Sequence, residues 1–499
     1  MSKLLRGGRL GSTRDDVVRF ISSIESDKRI LKPVIEINKA HTIMLMEEGI
    51  IKPEDGASIL KALKGLRVLE LKQPVEDIHM AVEEEVTKAT GSDVGGNLHI
   101  AKSRNDQVST AIRMALRGEL IELMEATLNL QSKLIRKAWE NTETVIPGYT
   151  HLQPAQPLTF AHYLISVFDA LGRDLNRLVE AYGRVDLCPM GAGAIATTSF
   201  EINRERVAEL LGFHGLLENS VDAVGSRDFI LEVLAVLSVT AVDVSRFVED
   251  LIIWSTPGFG TIELPDGFSS TSSIMPQKKN PDVLEVIRAR MSHVIGCFSA
   301  SINLMKALPS SYNLDLQEAT PKLWEAIDIM LESLIMLSKL IPELKVRSYP
   351  PEDLTLSFMT STELANILTR KYGVPFREAH RIVGSLVRRL LDESRPLTDL
   401  EPGMIAEASV KFLKKPVMVR VEDIERVTDP LRFIESHKVR GGPSRVEVER
   451  MLRARMEDLS SIRSHVVEMK RRLVDAERKL NSVVERYIAN PRTVKFKSE

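Results

Sequence analysis

Apolar residues recur at spacings of three and four along most of this chain, the mark of helices that bury one face, while the period-two alternation of half-buried strands is scarce. Five stretches carry the pattern at length, over residues 110–141, 159–185, 227–254, 281–308 and 321–340. Each approaches or exceeds about 20 residues, against roughly 11 for an ordinary globular helix. In the third, Phe229, Val233, Val236, Leu237, Thr240, Val244, Phe247, Leu251 and Trp254 make a stripe too wide for one neighbour. That width predicts burial inside a helical bundle, one shared between subunits.

Proline and glycine punctuate the pattern at Pro147-Gly148, Pro154 to Pro157, Pro189 to Gly193, Pro257 to Gly267, Pro309 to Asn313 and Tyr349-Pro350-Pro351. The reading is all-α, with an N-terminal helical segment over 1–109, a central long-helix bundle over 110–350, a C-terminal helical domain over 351–455 and an extension over 456–499. In that extension Leu459, Ile462, Val466, Met469, Leu473, Ala476, Leu480, Val483 and Tyr487 alternate at three and four over about four heptads. The seam predicts a helix lying on its own subunit or on a neighbour.

At 499 residues, 43% apolar and 27% charged, the chain has the balance of a soluble globular protein. Its 67 Lys and Arg against 69 Asp and Glu set up no global field for nucleic acid or a membrane surface, which favours a small-molecule partner. Two cysteines, Cys188 and Cys297, both in helix-like contexts, exclude a disulfide framework or zinc cluster and predict buried thiols in a reducing, cytoplasmic setting. No run reads as a signal peptide or membrane span, and no metal motif has ligand spacing, so no metal or cofactor is expected.

Chemistry concentrates in polar clusters between the apolar stretches. Residues 269–281 pack hydroxyls, amides and two lysines between long helices, where a reacting loop is held on rigid supports. Ser103-Arg104-Asn105-Asp106-Gln107, Tyr149-Thr150-His151-Leu152-Gln153 and Ser226-Arg227-Asp228 each precede a long apolar stretch. Each cluster alone reads equally as a helix cap. Together, their hydroxyls, amides and cations are the groups that bind dicarboxylates, aided by helix N-termini. His151 lies in a proline-bracketed loop rather than on an apolar face, which suits a chemical role. Spacing does not choose between Lys278 and Lys279. Gly191-Ala192-Gly193 lacks the preceding strand and third glycine of a phosphate cradle, so a close helix contact is the expected use.

These residues resemble a known family. Ser272-Ser273-Ile274-Met275-Pro276-Gln277-Lys278-Lys279-Asn280-Pro281-Asp282 is similar to the signature of the fumarase/aspartase superfamily, in the form typical of its argininosuccinate lyases. Other segments follow in family order: Leu5-Arg6-Gly7-Gly8-Arg9, Asp77-Ile78-His79-Met80, the 103–107 and 148–153 clusters, Gly191 to Ala194, Asp222 to Phe229, Leu308 to Asn313 and Pro375 to His380. The resemblance covers roughly residues 3–452, and so many short motifs in one order leave little room for chance.

The resemblance implies a homotetramer whose subunits each lend five long helices to a 20-helix core, with active sites shared by three subunits. It implies reversible elimination of argininosuccinate to arginine and fumarate. By similarity Ser272 is the base, Lys278 and Asn280 hold the carboxylate as charge builds, and His151 is the acid-side histidine, oriented by Glu285. Ser103, Asn105 and Thr150 bind the fumarate portion with Arg104 in support, and Ser23, Asp27, Arg227, Tyr312 and Gln317 grip the arginine portion. The chain departs from the family at Thr271, where glycine is usual, and at Thr320, in place of a lysine that Lys322 only approaches. The competing readings are another fumarate-releasing lyase, such as one acting on adenylosuccinate, and a non-catalytic structural protein of the lens-crystallin kind. The Gln277-Lys278-Lys279 and Tyr312 to Gln317 runs argue against the first, and retention of Ser272, Lys278, His151 and Glu285 argues against the second.

Overall fold

The computed structural model describes residues 14–66, 76–349, 353–354 and 356–494, so Leu5-Arg6-Gly7-Gly8-Arg9 lies outside the described residues. The chain is helical almost throughout, and the five predicted long helices are all present. We label the helices used below in chain order: α1 Leu31–Glu47, α2 Ile78–Thr90, α3 Arg104–Trp139, α4 Phe160–Val185, α5 Asp228–Ser255, α6 Asp282–Met305, α7 Ala319–Glu343 and α8 Arg445–Ala489. Helix α3 packs against α4 and α7, and α5 against α6, α4 and α7. The predicted stripe of α5, from Phe229 to Trp254, is buried at every position.

Local chemistry starts these helices where the bundle needs them. Ser103 caps α3 through a capping box with Asp106, and the Thr159 hydroxyl accepts from His162 N at 3.1 Å to start α4. One hydrophobic core joins the bundle, the N-terminal helices and α8, while a smaller one lies within 364–427. The C-terminal seam is part of a single helix, α8, that runs unbroken from Arg445. It lies on its own chain, across α1, α3 and neighbouring helices, with Val466, Met469, Leu480, Val483 and Tyr487 buried.

Two expectations are corrected. The 149–153 cluster does not adjoin a helix: it forms the tip of a β-hairpin, β1 Val145–Thr150 against β2 Gln153–Thr159, with Thr150 paired to Gln153. Pro154 and Pro157, with the β-branched Thr159 at the end, favour extended backbone over helix. Cys188 sits in a two-residue strand rather than a helix, though both thiols are buried as expected. Burial pushes the Cys188 thiol up to about 12. Among the described residues no helix is long and apolar enough to cross a membrane.

Candidate active site

Four segments far apart in sequence meet at a cavity of about 220 Å³. Ser23 and Asp27 come from the turn before α1, Arg104 and Asn105 from the first turn of α3, Arg227 from the residue before α5, and Tyr312 and Gln317 from the approach to α7. Seven sequence-predicted residues are thereby brought together within one chain. Of the rest of the set, Ser103 lies next to the cavity as the cap of α3, while the 269–281 loop, the β1/β2 hairpin and the first turn of α6 carry the remainder, none of which lines this cavity.

The cavity wall is strongly polarised. The Ser23 hydroxyl donates to Asp27 Oδ2 at 2.7 Å, and Ile78 N donates to the same oxygen at 3.3 Å. Burial outweighs both bonds and pushes the Asp27 carboxyl up to about 6. Arg227, which lines the same cavity, is 3% exposed, and its Nη1 donates to Val224 O and Ser226 O. Its Nε and Nη2 have no hydrogen-bond partner among the described residues, and burial lowers the guanidinium to about 10. Gln317 Nε2 donates to Ile21 O at 2.9 Å, which fixes the amide's orientation.

Sequence reasoning passed over Asp77. Its Oδ1 caps α2 by accepting from Met80 N at 2.8 Å, the role a helix-start aspartate suggests. Its Oδ2 lies 3.1 Å from Arg104 Nε and holds that guanidinium at the cavity wall. Thr320 lines the same cavity, whereas Lys322 turns to Glu325 at 2.7 Å and so does not stand in for the missing lysine.

The polar loop forms a short hairpin, β3 Ser270–Thr271 against β4 Lys279–Asn280. Thr271, where the resemblance leads us to expect glycine, is paired with Lys279 in that hairpin. At its bend Ser272 Oγ accepts from Met275 N at 3.2 Å and Ile274 N at 3.4 Å. Two backbone N–H dipoles therefore point at this oxygen, an arrangement that would stabilise negative charge on it. Asn280 Nδ2 donates to Ser270 Oγ at 3.3 Å, and Lys278 is exposed. Glu285 is also exposed, in the first turn of α6.

His151 and Leu152 are the two central residues of the β1/β2 turn, both at φ 57°. A left-handed backbone at two consecutive non-glycine residues costs about 1–2 kcal/mol each. Such strain persists only where the surroundings hold it, and it clusters at functional sites. The imidazole is exposed at the tip of a stiff, strained turn, presented outward. Within one chain no hydrogen bond or ion pair among the described residues joins His151 to Glu285 or to Ser272.

The chain matches a family model described as Lyase over residues 9–296 and one described as Argininosuccinate lyase C-terminal over 358–435. It is 43% identical to the argininosuccinate lyase of Methanocaldococcus jannaschii over 93% of this chain and 96% of that protein. It is 44% identical to that of Methanothrix thermoacetophila over 97% of this chain and 99% of that protein, a span that takes in most of α8. Among solved structures, an EDDS lyase in complex with formate superposes with TM-score 0.86 at 29% identity, covering 96% of this chain and 95% of that one. A class II fumarase from Schistosoma mansoni, at 16% identity and TM-score 0.68 over 84% of this chain and 94% of its own, shares the fold.

Proposed function

The chain belongs to the argininosuccinate lyase family, and from that membership we infer that it eliminates fumarate reversibly from argininosuccinate to leave L-arginine. The observation that carries this reading beyond homology is the cavity whose lining combines the Asp27 carboxyl with the guanidinium groups of Arg104 and Arg227. An amino acid bears one ammonium and one carboxylate. Asp27 with Ser23 suits the ammonium, and Arg227, Tyr312 and Gln317 suit the rest of the arginine portion.

The reaction removes a proton from the carbon next to a carboxylate and breaks the carbon–nitrogen bond on the neighbouring carbon. The electron pair of that bond leaves on the guanidino nitrogen, which takes up a proton. In our reading Ser272 Oγ, held as an alkoxide by the N–H groups of Ile274 and Met275 and by the Lys278 ammonium, takes the proton from carbon and becomes the neutral hydroxyl. Lys278 and Asn280 stabilise the dianionic intermediate. His151 serves the leaving nitrogen, with Glu285 orienting the ring. Ser103, Asn105, Thr150 and Arg104 hold the fumarate portion.

We further propose a homotetramer in which three subunits build each site. One chain keeps the hairpin tip of His151, the Ser272 loop and the arginine cavity on separate stretches of surface, and a second and third copy would bring them together. The apolar side chains that α5, α6 and α7 leave exposed in one chain, Val239, Val242, Val286, Ile295, Ile302 and Ile335, support such an assembly. Arginine biosynthesis in the cytoplasm is the setting this activity implies.

The test is fumarate release, followed by absorbance, from argininosuccinate, adenylosuccinate and aspartate. Release from argininosuccinate alone is expected, and release from adenylosuccinate alone overturns the reading. Light scattering on the purified protein checks the assembly, with four chains expected.

A further inference from the structure

Asp106 sits at the third position of α3, where a capping box needs only one carboxylate oxygen, and the Ser103 N–H supplies that bond to Oδ1 at 3.0 Å. The other oxygen leaves the helix. Asp106 Oδ2 accepts from Gly191 N at 3.1 Å and from Gly193 N at 2.9 Å, so one carboxylate ties together two segments 85 to 87 residues apart. The side chain is fully buried, and the buried Lys102 ammonium, itself held on the Asn38 side-chain carbonyl, supplies compensating charge nearby.

The loop is built for this grip. Gly191 and Gly193 stand at φ 84° and 64°, a backbone that L side chains rarely adopt, which lets both N–H groups converge on one oxygen. A Cβ on Gly193 would stand 2.6 Å from Thr197 O. One residue further on, Ala194 O accepts from Asn105 Nδ2 at 3.0 Å. The amide end of Asn105 is thus committed to the loop, and where Asn105 points depends on where the loop lies.

We propose that Asp106 is a positioning residue for the lyase reaction: by clamping the 191–194 loop to the start of α3 it fixes the Asn105 carboxamide, and with it the fumarate half of the site. The proposal rests on the argininosuccinate lyase reading given above. Asp106 itself touches no substrate. The arginine half is built on Asp27, Arg227, Tyr312 and Gln317, to which neither Asp106 nor the 191–194 loop hydrogen-bonds among the described residues, so the two halves are expected to respond differently when the clamp is lost.

The test is Asp106→Asn. Its amide keeps the shape but loses the charge and one acceptor: a donor turned on the glycine pair breaks the clamp, and a donor turned on Ser103 N leaves both glycine N–H groups on a neutral oxygen and weakens it. Product inhibition of the assembled enzyme is then measured for fumarate and arginine separately. The fumarate constant is expected to rise about tenfold or more while the arginine constant stays within about twofold. Equal rises in both, or a lower melting temperature with both constants unchanged, overturn the proposal. A second measurement needs no variant: fumarate added to the unsubstituted protein is expected to slow hydrogen exchange at Gly191 and Gly193, and arginine is not. Exchange unaffected by fumarate overturns the proposal even where Asp106→Asn fails to fold. Absence of any fumarate release from argininosuccinate by the unsubstituted enzyme sinks the lyase reading itself, whereas an active enzyme with an unselective variant sinks only the clamp.

Discussion

Lys279 Nζ lies 2.6 Å from Asp266 Oδ1 and 3.9 Å from Glu263 Oε1, which commits it to holding the loop hairpin down. Its neighbour Lys278 has no carboxylate partner among the described residues. Adjacent lysines with equal claims in sequence thus have different positions: one is spent within the chain and the other is available to a dianion. Lys278→Met is expected to lower the turnover of fumarate release by about 10² or more, and Lys279→Met by less than about tenfold. Equal losses in the two variants would remove the assignment.

Ser272 carries the proton-transfer step in the proposed mechanism. Its Oγ already accepts two backbone N–H groups, so the site stabilises an alkoxide better than a free hydroxyl would. Ser272→Ala removes the base and leaves the hairpin pairing of Ser270 with Asn280 intact. It is expected to fold and assemble normally by circular dichroism and light scattering, with turnover down about 10² or more. Turnover near that of the unsubstituted enzyme would take serine out of the base role.

In the proposed mechanism Asp27 trades stability for binding. Its folded value of about 6 lies above its ordinary 3.8, so the charged form is disfavoured by folding. The penalty is therefore full above about pH 6, fades as pH falls through 6, and is gone below 3.8. Asp27→Asn removes a buried charge, and it is expected to stabilise the ligand-free protein at pH 8 by roughly 1–3 kcal/mol and hardly at all at pH 4. The same variant should raise the inhibition constant for arginine. Thermal melts at the two pH values check the first part, and a lower midpoint at pH 8 contradicts it.

The long helices were legible because each repeats its apolar spacing many times, so the boundaries of α4 and α5 are read to within a residue. The β1/β2 hairpin was not. His151 and Leu152 are poor residues for a left-handed turn, and no local preference announces one; the pairing of Val145 with Thr159 imposes it from outside. Ser103 shows a different limit. Both readings of its cluster hold together, since the hydroxyl does cap α3 while the cavity forms beside it. Asp77 and Asp106 were passed over because one oxygen of each does the routine work of a helix start. The other oxygen acts at a distance, on Arg104 and on the glycine loop, where sequence spacing carries no signal.

Helix α8 is long, charged on its outer face and covered with surface ion pairs such as Arg478 with Asp475, which contribute about 0–1 kcal/mol each. Its attachment comes from the inner seam instead. Val484 is 1% exposed within the main core, and the Tyr487 hydroxyl donates to Glu47 Oε1 at 2.8 Å on α1. A charge at Val484 would have no partner there and would lever the end of the helix off the chain. Val484→Asp is therefore expected to cost about 3 kcal/mol or more in urea unfolding, and Arg478→Ala no more than about 0.5 kcal/mol. Similar small costs for both would mean that the seam of α8 adds nothing to its own subunit, and that the helix is held by a neighbouring copy instead.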